Sequence, residues 1–166
     1  MDHNTTGPGM KPRVYLETTV VSYLTARPSR DVVQVAHQEI TREWWEKRRK
    51  DFELYISQVV LREASSGDPD AAARRLAAIG DIQLLDVTVE VEVLAEALVV
   101  EGPLPEKAGD DAIHLALAAV HEMDYLLTWN CTHLANAEMM AAIRLLLEKK
   151  GYTAPEVCVP EELLGE

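Results

Sequence analysis

Short apolar runs alternate with longer helix-period segments along nearly the whole chain, and this alternation limits the possible folds more than any other feature. Val14-Tyr15-Leu16, Leu54-Tyr55-Ile56, Ile82-Gln83-Leu84-Leu85, Tyr125-Leu126-Leu127-Thr128 and Val157-Cys158-Val159 read as strands. Helical patterns fit residues 31–50, 58–66, 70–79, 88–100, 108–123 and 136–150. In the first of these, Val33, Ala36, Ile40 and Trp44 recur at helical spacing. Trp44 then belongs to the buried stripe, Trp45 falls beside it, and Lys47-Arg48-Arg49-Lys50 complements the helix dipole. Segment 108–123 is so rich in Ala and Leu that it should be buried nearly all round. Strand-helix alternation implies right-handed crossovers and a parallel sheet covered by helices on both faces. The expected architecture is therefore one α/β domain over residues 13–166. Residues 1–12 hold two Gly, two Pro and no apolar periodicity, and read as a flexible N-terminal extension.

Length and composition agree with a single core. At 166 residues, with 48% hydrophobic and 27% charged, the chain is neither low-complexity nor disordered. Its longest nearly apolar stretch, Ala112 to Val120, is too short for a bilayer and contains His114, and no secretory segment opens the chain, so no membrane partner and a cytoplasmic location are expected. Cys131 and Cys158 stand alone without a CxxC, which argues against a disulfide framework or a structural zinc site. The net charge of -12 argues against a protein that coats nucleic acid through a general basic surface. That charge is uneven: residues 1–50 carry nine Lys/Arg against six Asp/Glu, and residues 51–166 carry seven against twenty-two. An acidic body can still hold a polyanion where cations neutralise its carboxylates.

In an open parallel sheet, ligands bind beyond the C-terminal strand ends, where the strand order reverses. Glu17 follows the first strand, Glu63 lies in the helix after the second, Asp110 and Asp111 open the helix before the fourth, and Asn130 follows the fourth strand. Acids converging there repel one another unless a divalent cation sits between them. Oxygen donors of this kind suit Mg2+ or Mn2+.

Three segments carry a more specific signal: Tyr15-Leu16-Glu17-Thr18-Thr19-Val20-Val21-Ser22-Tyr23-Leu24, Asp111-Ala112-Ile113-His114-Leu115-Ala116, and Asp124-Tyr125-Leu126-Leu127-Thr128-Trp129-Asn130 with His133-Leu134. In this order and spacing they resemble the PIN-domain family, and within it the VapC-like toxins of bacterial toxin-antitoxin pairs, over roughly residues 13–160. The resemblance implies a PIN-like three-layer fold, a five-stranded, mainly parallel sheet flanked by helices, and a metal-dependent endoribonuclease site. It places Glu17 at the family's first acid, usually Asp, Glu63 at the second, Asp111 at the third, and Asn130 where many members have a fourth acid.

Two of those positions depart from the pattern. Glu17 is one methylene longer than Asp, and Asn130 supplies no charge, although its amide can coordinate or hold a metal-bound water. Glu17 and Asp111 are implied as direct ligands of Mg2+ or Mn2+, Glu63 as a ligand or a holder of metal-bound water, and Asn130 as an outer group. The metal would acidify a water, orient it and stabilise charge on the scissile phosphate. Thr18, Thr19 and Thr128 are expected to hydrogen-bond carboxylates or phosphate, and Asp110 to support the site. His114 and His133 can either orient a neighbouring acid or be ordinary satisfied histidines. Arg27 and Arg30 are candidate RNA contacts. The implied partners are an RNA substrate, a cognate antitoxin and a second copy in a homodimer. The alternative is a catalytically impaired PIN-fold module that binds RNA or protein.

Overall fold

The computed structural model describes residues 10–165. Most of the expected N-terminal extension, residues 1–9, lies outside the described residues. The described chain forms five strands, β1 (Arg13–Leu16), β2 (Glu53–Ser57), β3 (Gln83–Leu85), β4 (Tyr125–Leu127) and β5 (Glu156–Cys158). They make one sheet in the order β3-β2-β1-β4-β5, and every pairing is parallel. The helices are α1 (Thr18–Thr25), α2 (Val32–Arg48), α3 (Gln58–Ala64), α4 (Pro69–Ile79), α5 (Val89–Val100), α6 (Gly109–Val120) and α7 (Ala137–Lys149). All five strands stand where the apolar runs put them, with ends shifted by a residue or so.

Burial explains why the strands read as unbroken apolar runs. Val14, Tyr15 and Leu16 of the central strand are fully buried, as expected when both faces of a parallel sheet are covered. Helix α6 is likewise enclosed: Ala112, Leu115, Ala116, Leu117, Ala118 and Ala119 are all buried. Trp44 is fully buried, while Trp45 is partly exposed under the guanidinium of Arg49 at 4.1 Å. Residues 31–50 resolve into a helix capped by Asp31, which accepts from the Val33 and Gln34 N–H groups, and a final 3-10 turn at Arg49–Asp51.

One helix has no counterpart in the sequence pattern. Residues 18–25 are Thr-Thr-Val-Val-Ser-Tyr-Leu-Thr, rich in β-branched side chains that disfavour a helix. Tertiary contact overrides that preference, because Val20 and Val21 are fully buried, and Glu17 accepts the Val20 N–H at the helix start. No helix among the described residues is long and apolar enough to cross a membrane.

The chain builds β1, β2 and β3 outward in one direction, then returns to place β4 on the other side of β1. The reversal therefore falls between β1 and β4, and the residues that follow those two strands face a common crevice.

Candidate functional site

Glu17 leaves the end of β1 and opens α1. Its backbone N–H continues the sheet by donating to Leu127 O at 3.0 Å. The side chain is 4% exposed, and its Oε1 accepts hydroxyl hydrogen bonds from Thr19 and from Thr128 at 2.6 Å. Glu17 has no Lys, Arg or His ion-pair partner among the described residues. Burial of charge normally requires a direct partner, and the nearby His114 imidazole is hydrogen-bonded to Glu63 instead.

Glu63 reaches the same crevice from α3. Its Oε1 accepts from the Thr18 hydroxyl and from His114 Nε2, the latter at 3.0 Å. One donor atom each from Glu17, Glu63 and His114 lie within 4.8 Å of one another. Burial alone would raise the Glu63 carboxyl. The hydrogen bond from His114, the imidazole charge and the Thr18 hydroxyl outweigh burial and hold the carboxyl at about 2. For His114 burial favours the neutral ring, but the Glu63 hydrogen bond and the charges of Glu17, Glu63 and Asp111 prevail and raise its pKa.

His114 is fully buried and is itself held from behind. Its Nδ1 shares a 2.7 Å hydrogen bond with the Tyr15 hydroxyl, which in turn lies 2.8 Å from Ser57 Oγ. Burial pushes the Tyr15 phenol well above its ordinary value, so it stays protonated and keeps a hydrogen to donate. Both readings of His114 are therefore combined in one residue: it is a satisfied core histidine and it orients an acid. Tyr15 and Ser57 do not stand out in the sequence as site residues. The available signal for Tyr15 is strand alternation, since residues 15 and 17 share a face.

Asp111 lies in the first turn of α6 and does not belong to the tight group formed by Glu17, Glu63 and His114. Its Oδ1 accepts from Asn130 Nδ2 at 3.1 Å and its Oδ2 from His133 Nδ1 at 2.9 Å. The Asn130 carbonyl oxygen is taken by the backbone N–H groups of Thr132 and His133, both at 3.1 Å. Asn130 thus braces Asp111 with its amide nitrogen and fixes the loop after β4 with its oxygen. Asp110, one residue earlier, pairs with Arg62 at 2.8 Å and also lies within hydrogen-bonding reach of the Glu63 carboxyl. Thr18 and Thr128 stand against carboxylates, whereas Arg27 and Arg30 lie exposed in the α1–α2 connection, away from these contacts.

Two solved structures share this arrangement of strands and helices. VapBC2 from Rickettsia felis, solved bound to a DNA fragment from its promoter, superposes with a TM-score of 0.56 at 14% identity, covering 89% of this chain and 98% of that one. VapC20 from Mycobacterium tuberculosis, a toxin that cleaves the sarcin-ricin loop, gives a TM-score of 0.57 at 16% identity over 72% of this chain and 91% of that one. The chain has a VapC-like PIN fold. No family model and no curated protein matches the sequence. The likeness therefore lies in the backbone path.

Proposed function

We propose that this protein is a metal-dependent endoribonuclease and the toxin of a toxin-antitoxin pair. One observation carries the reading: a buried Glu17 without a cationic partner converges with Glu63 at the crevice of a VapC-like PIN fold. The oxygen-rich donor set suits Mg2+ or Mn2+ better than a soft metal. Glu17, Glu63 and Asp111 would hold the ion. When bound, such an ion supplies a Lewis acid for the phosphate and makes a water acidic enough to attack.

The protein's own part is to prepare the carboxylates. Thr19 and Thr128 fix Glu17 through one oxygen. His114 and Thr18 hold Glu63, and Asn130 with His133 holds Asp111. Braced in this way, the acids hold defined orientations, and outer partners of this type are worth about 10–100-fold in metal affinity. Exposed Arg27 and Arg30 supply positive charge for the RNA backbone in a chain whose total charge is -12. A cognate antitoxin and self-association as a homodimer belong to the same reading.

The test is cleavage of a mixed structured and single-stranded RNA pool by antitoxin-free protein with Mg2+, with Mn2+ and with chelator, beside Asp111→Asn. Cleavage that needs metal and disappears in the variant is the expected result. If both proteins are inert and calorimetry finds no binding of either ion at millimolar concentration, the nuclease reading fails and the impaired binding module replaces it.

A further inference from the structure

A cavity of about 310 Å³ opens beside the carboxylates, between α1 and α2, lined by Thr19, Ser22, Tyr23, Ala26, Gln34 and Gln38. Thr19 is common to both places: its hydroxyl donates to Glu17 and accepts the Trp129 N–H at 2.8 Å. Whatever occupies this cavity therefore lies one side chain away from Glu17. A larger cavity of about 410 Å³, between Trp45 and Gln83, is built from the opposite ends of β2 and β3 and has no such connection.

The lining is polar and aromatic, and it is braced. Behind Tyr23, His37 stacks on Trp129 with ring centroids 3.9 Å apart, and Tyr23 meets His37 edge-on at 5.3 Å. Trp129 is anchored by its indole N–H to Thr41 Oγ1 at 2.8 Å. Gln38 is 3% exposed and ties down the α1–α2 connection by accepting from the Ser29 N–H and donating to Arg27 O. Gln34 is exposed, and its oxygen accepts from the Ser29 hydroxyl, leaving its Nε2 hydrogens without a partner among the described residues. Arg27 and Arg30, in the α1–α2 connection that Gln38 ties down, are exposed and without an ion pair among the described residues.

We propose that this cavity is a subsite for one unstacked nucleobase of the RNA, adjacent to the phosphodiester that lies at Glu17. Tyr23 offers the stacking face, Gln34 reads the base edge, and Arg27 and Arg30 take the flanking phosphates. Single-stranded RNA is recognised in this manner, with bases splayed out onto aromatic rings and hydrogen-bonded at their edges. A free Nε2 can only donate, and every common base offers it an acceptor, a carbonyl oxygen or a ring nitrogen. The subsite is a substrate contact of the proposed nuclease and so rests on that reading, but it can be tested without catalysis.

The four nucleoside 5′-monophosphates are titrated into metal-free protein and followed by backbone amide NMR, for wild type, Gln34→Ala, Tyr23→Ala and, as a reference, Gln83→Ala at the distant cavity. The expected result is shift changes confined to residues 18–41 and 128–130. Dissociation constants should rise at least about fivefold in Gln34→Ala and in Tyr23→Ala, the scale of one base-edge or stacking contact, and stay unchanged in Gln83→Ala. Gln34 is a surface residue, so its variant keeps the fold even if Tyr23→Ala does not. Shifts elsewhere, no shift at millimolar nucleotide, or equal affinity in Gln34→Ala overturns the proposal. So does a peptide that perturbs these amides while mononucleotides leave them still, which assigns the cavity to a protein partner. RNA cut by wild type and Gln34→Ala at the same junctions sinks the subsite and leaves the nuclease standing. Nucleotides bound at the cavity of a protein that cuts no RNA sink the nuclease and leave the subsite standing.

Discussion

Replacing Tyr15 by Phe keeps the ring in β1 and removes a single oxygen. That oxygen lies 2.7 Å from His114 Nδ1 and 2.8 Å from Ser57 Oγ, and all three residues are fully buried. The two partners do not lose equally. Ser57 Oγ still accepts the Val60 N–H at the start of α3, whereas His114 Nδ1 has no other partner among the described residues. A buried group stripped of its partner costs about 1–3 kcal/mol and an ordinary hydrogen bond about 1 kcal/mol, offset in part because the hydroxyl no longer needs burying. We expect a net loss of about 2–3 kcal/mol, which for a chain of this size lowers Tm by about 4–12 °C. Urea unfolding of metal-free protein, followed by circular dichroism, measures it, with Tyr55→Phe as the reference. Among the described residues the Tyr55 hydroxyl bonds only the exposed Glu53 on its own strand, so its removal should stay within about 0.5 kcal/mol of wild type. If Tyr15→Phe is as mild as Tyr55→Phe, the chain from Ser57 through Tyr15 to His114 does not brace Glu63.

Acid and base should act on the Glu63–His114 pair from opposite sides. The Glu63 carboxyl titrates at about 2 when folded, below its ordinary 4.5, so its stabilising share is complete above 4.5 and is lost as pH falls toward 2. The His114 imidazole is raised above 6.5, so its share is complete below 6.5 and is lost as pH rises through the folded value. The difference in urea midpoint between wild type and Glu63→Gln, both metal-free, should accordingly be greatest between about 4.5 and 6.5, and a pH-independent difference would refute the pairing. Thr128→Val removes a donor to Glu17 and the acceptor of the Asn130 N–H, and should weaken Mn2+ binding about 10–100-fold by calorimetry. Trp44 is fully buried with an indole N–H that lacks a partner among the described residues. Trp44→Phe relieves that orphan and should cost less than about 1 kcal/mol in urea unfolding, against about 3–5 kcal/mol for Trp44→Ala.

The sheet and its crevice were legible in the sequence because buried parallel strands leave continuous apolar runs, and because chain order locates the strand ends where acids collect. Helix α1 was not legible, since Thr18 to Ser22 favours extended backbone locally and folds into a helix only against the core. The choice between Asp110 and Asp111 is invisible in composition. Adjacent helical positions point about 100° apart, which sends Asp110 to Arg62 and Asp111 toward Asn130 and His133. The bond from Tyr15 to His114 spans 99 residues and was hidden for the same reason that most long-range contacts are: no local pattern encodes it.

The order of the strands also sets when the site can exist. Glu17 rests on Thr128 across 111 residues, and Glu63 on His114 across 51. During synthesis, β1 through β3 emerge first, without the central neighbour β4 and without the histidine and threonine that fix the two glutamates. Domains fold as units when their last essential segment is present. A growing chain of this protein thus carries its first acids on an unfinished sheet until β4 has emerged. The two glutamates reach their braced arrangement only once the chain has been made through Thr128.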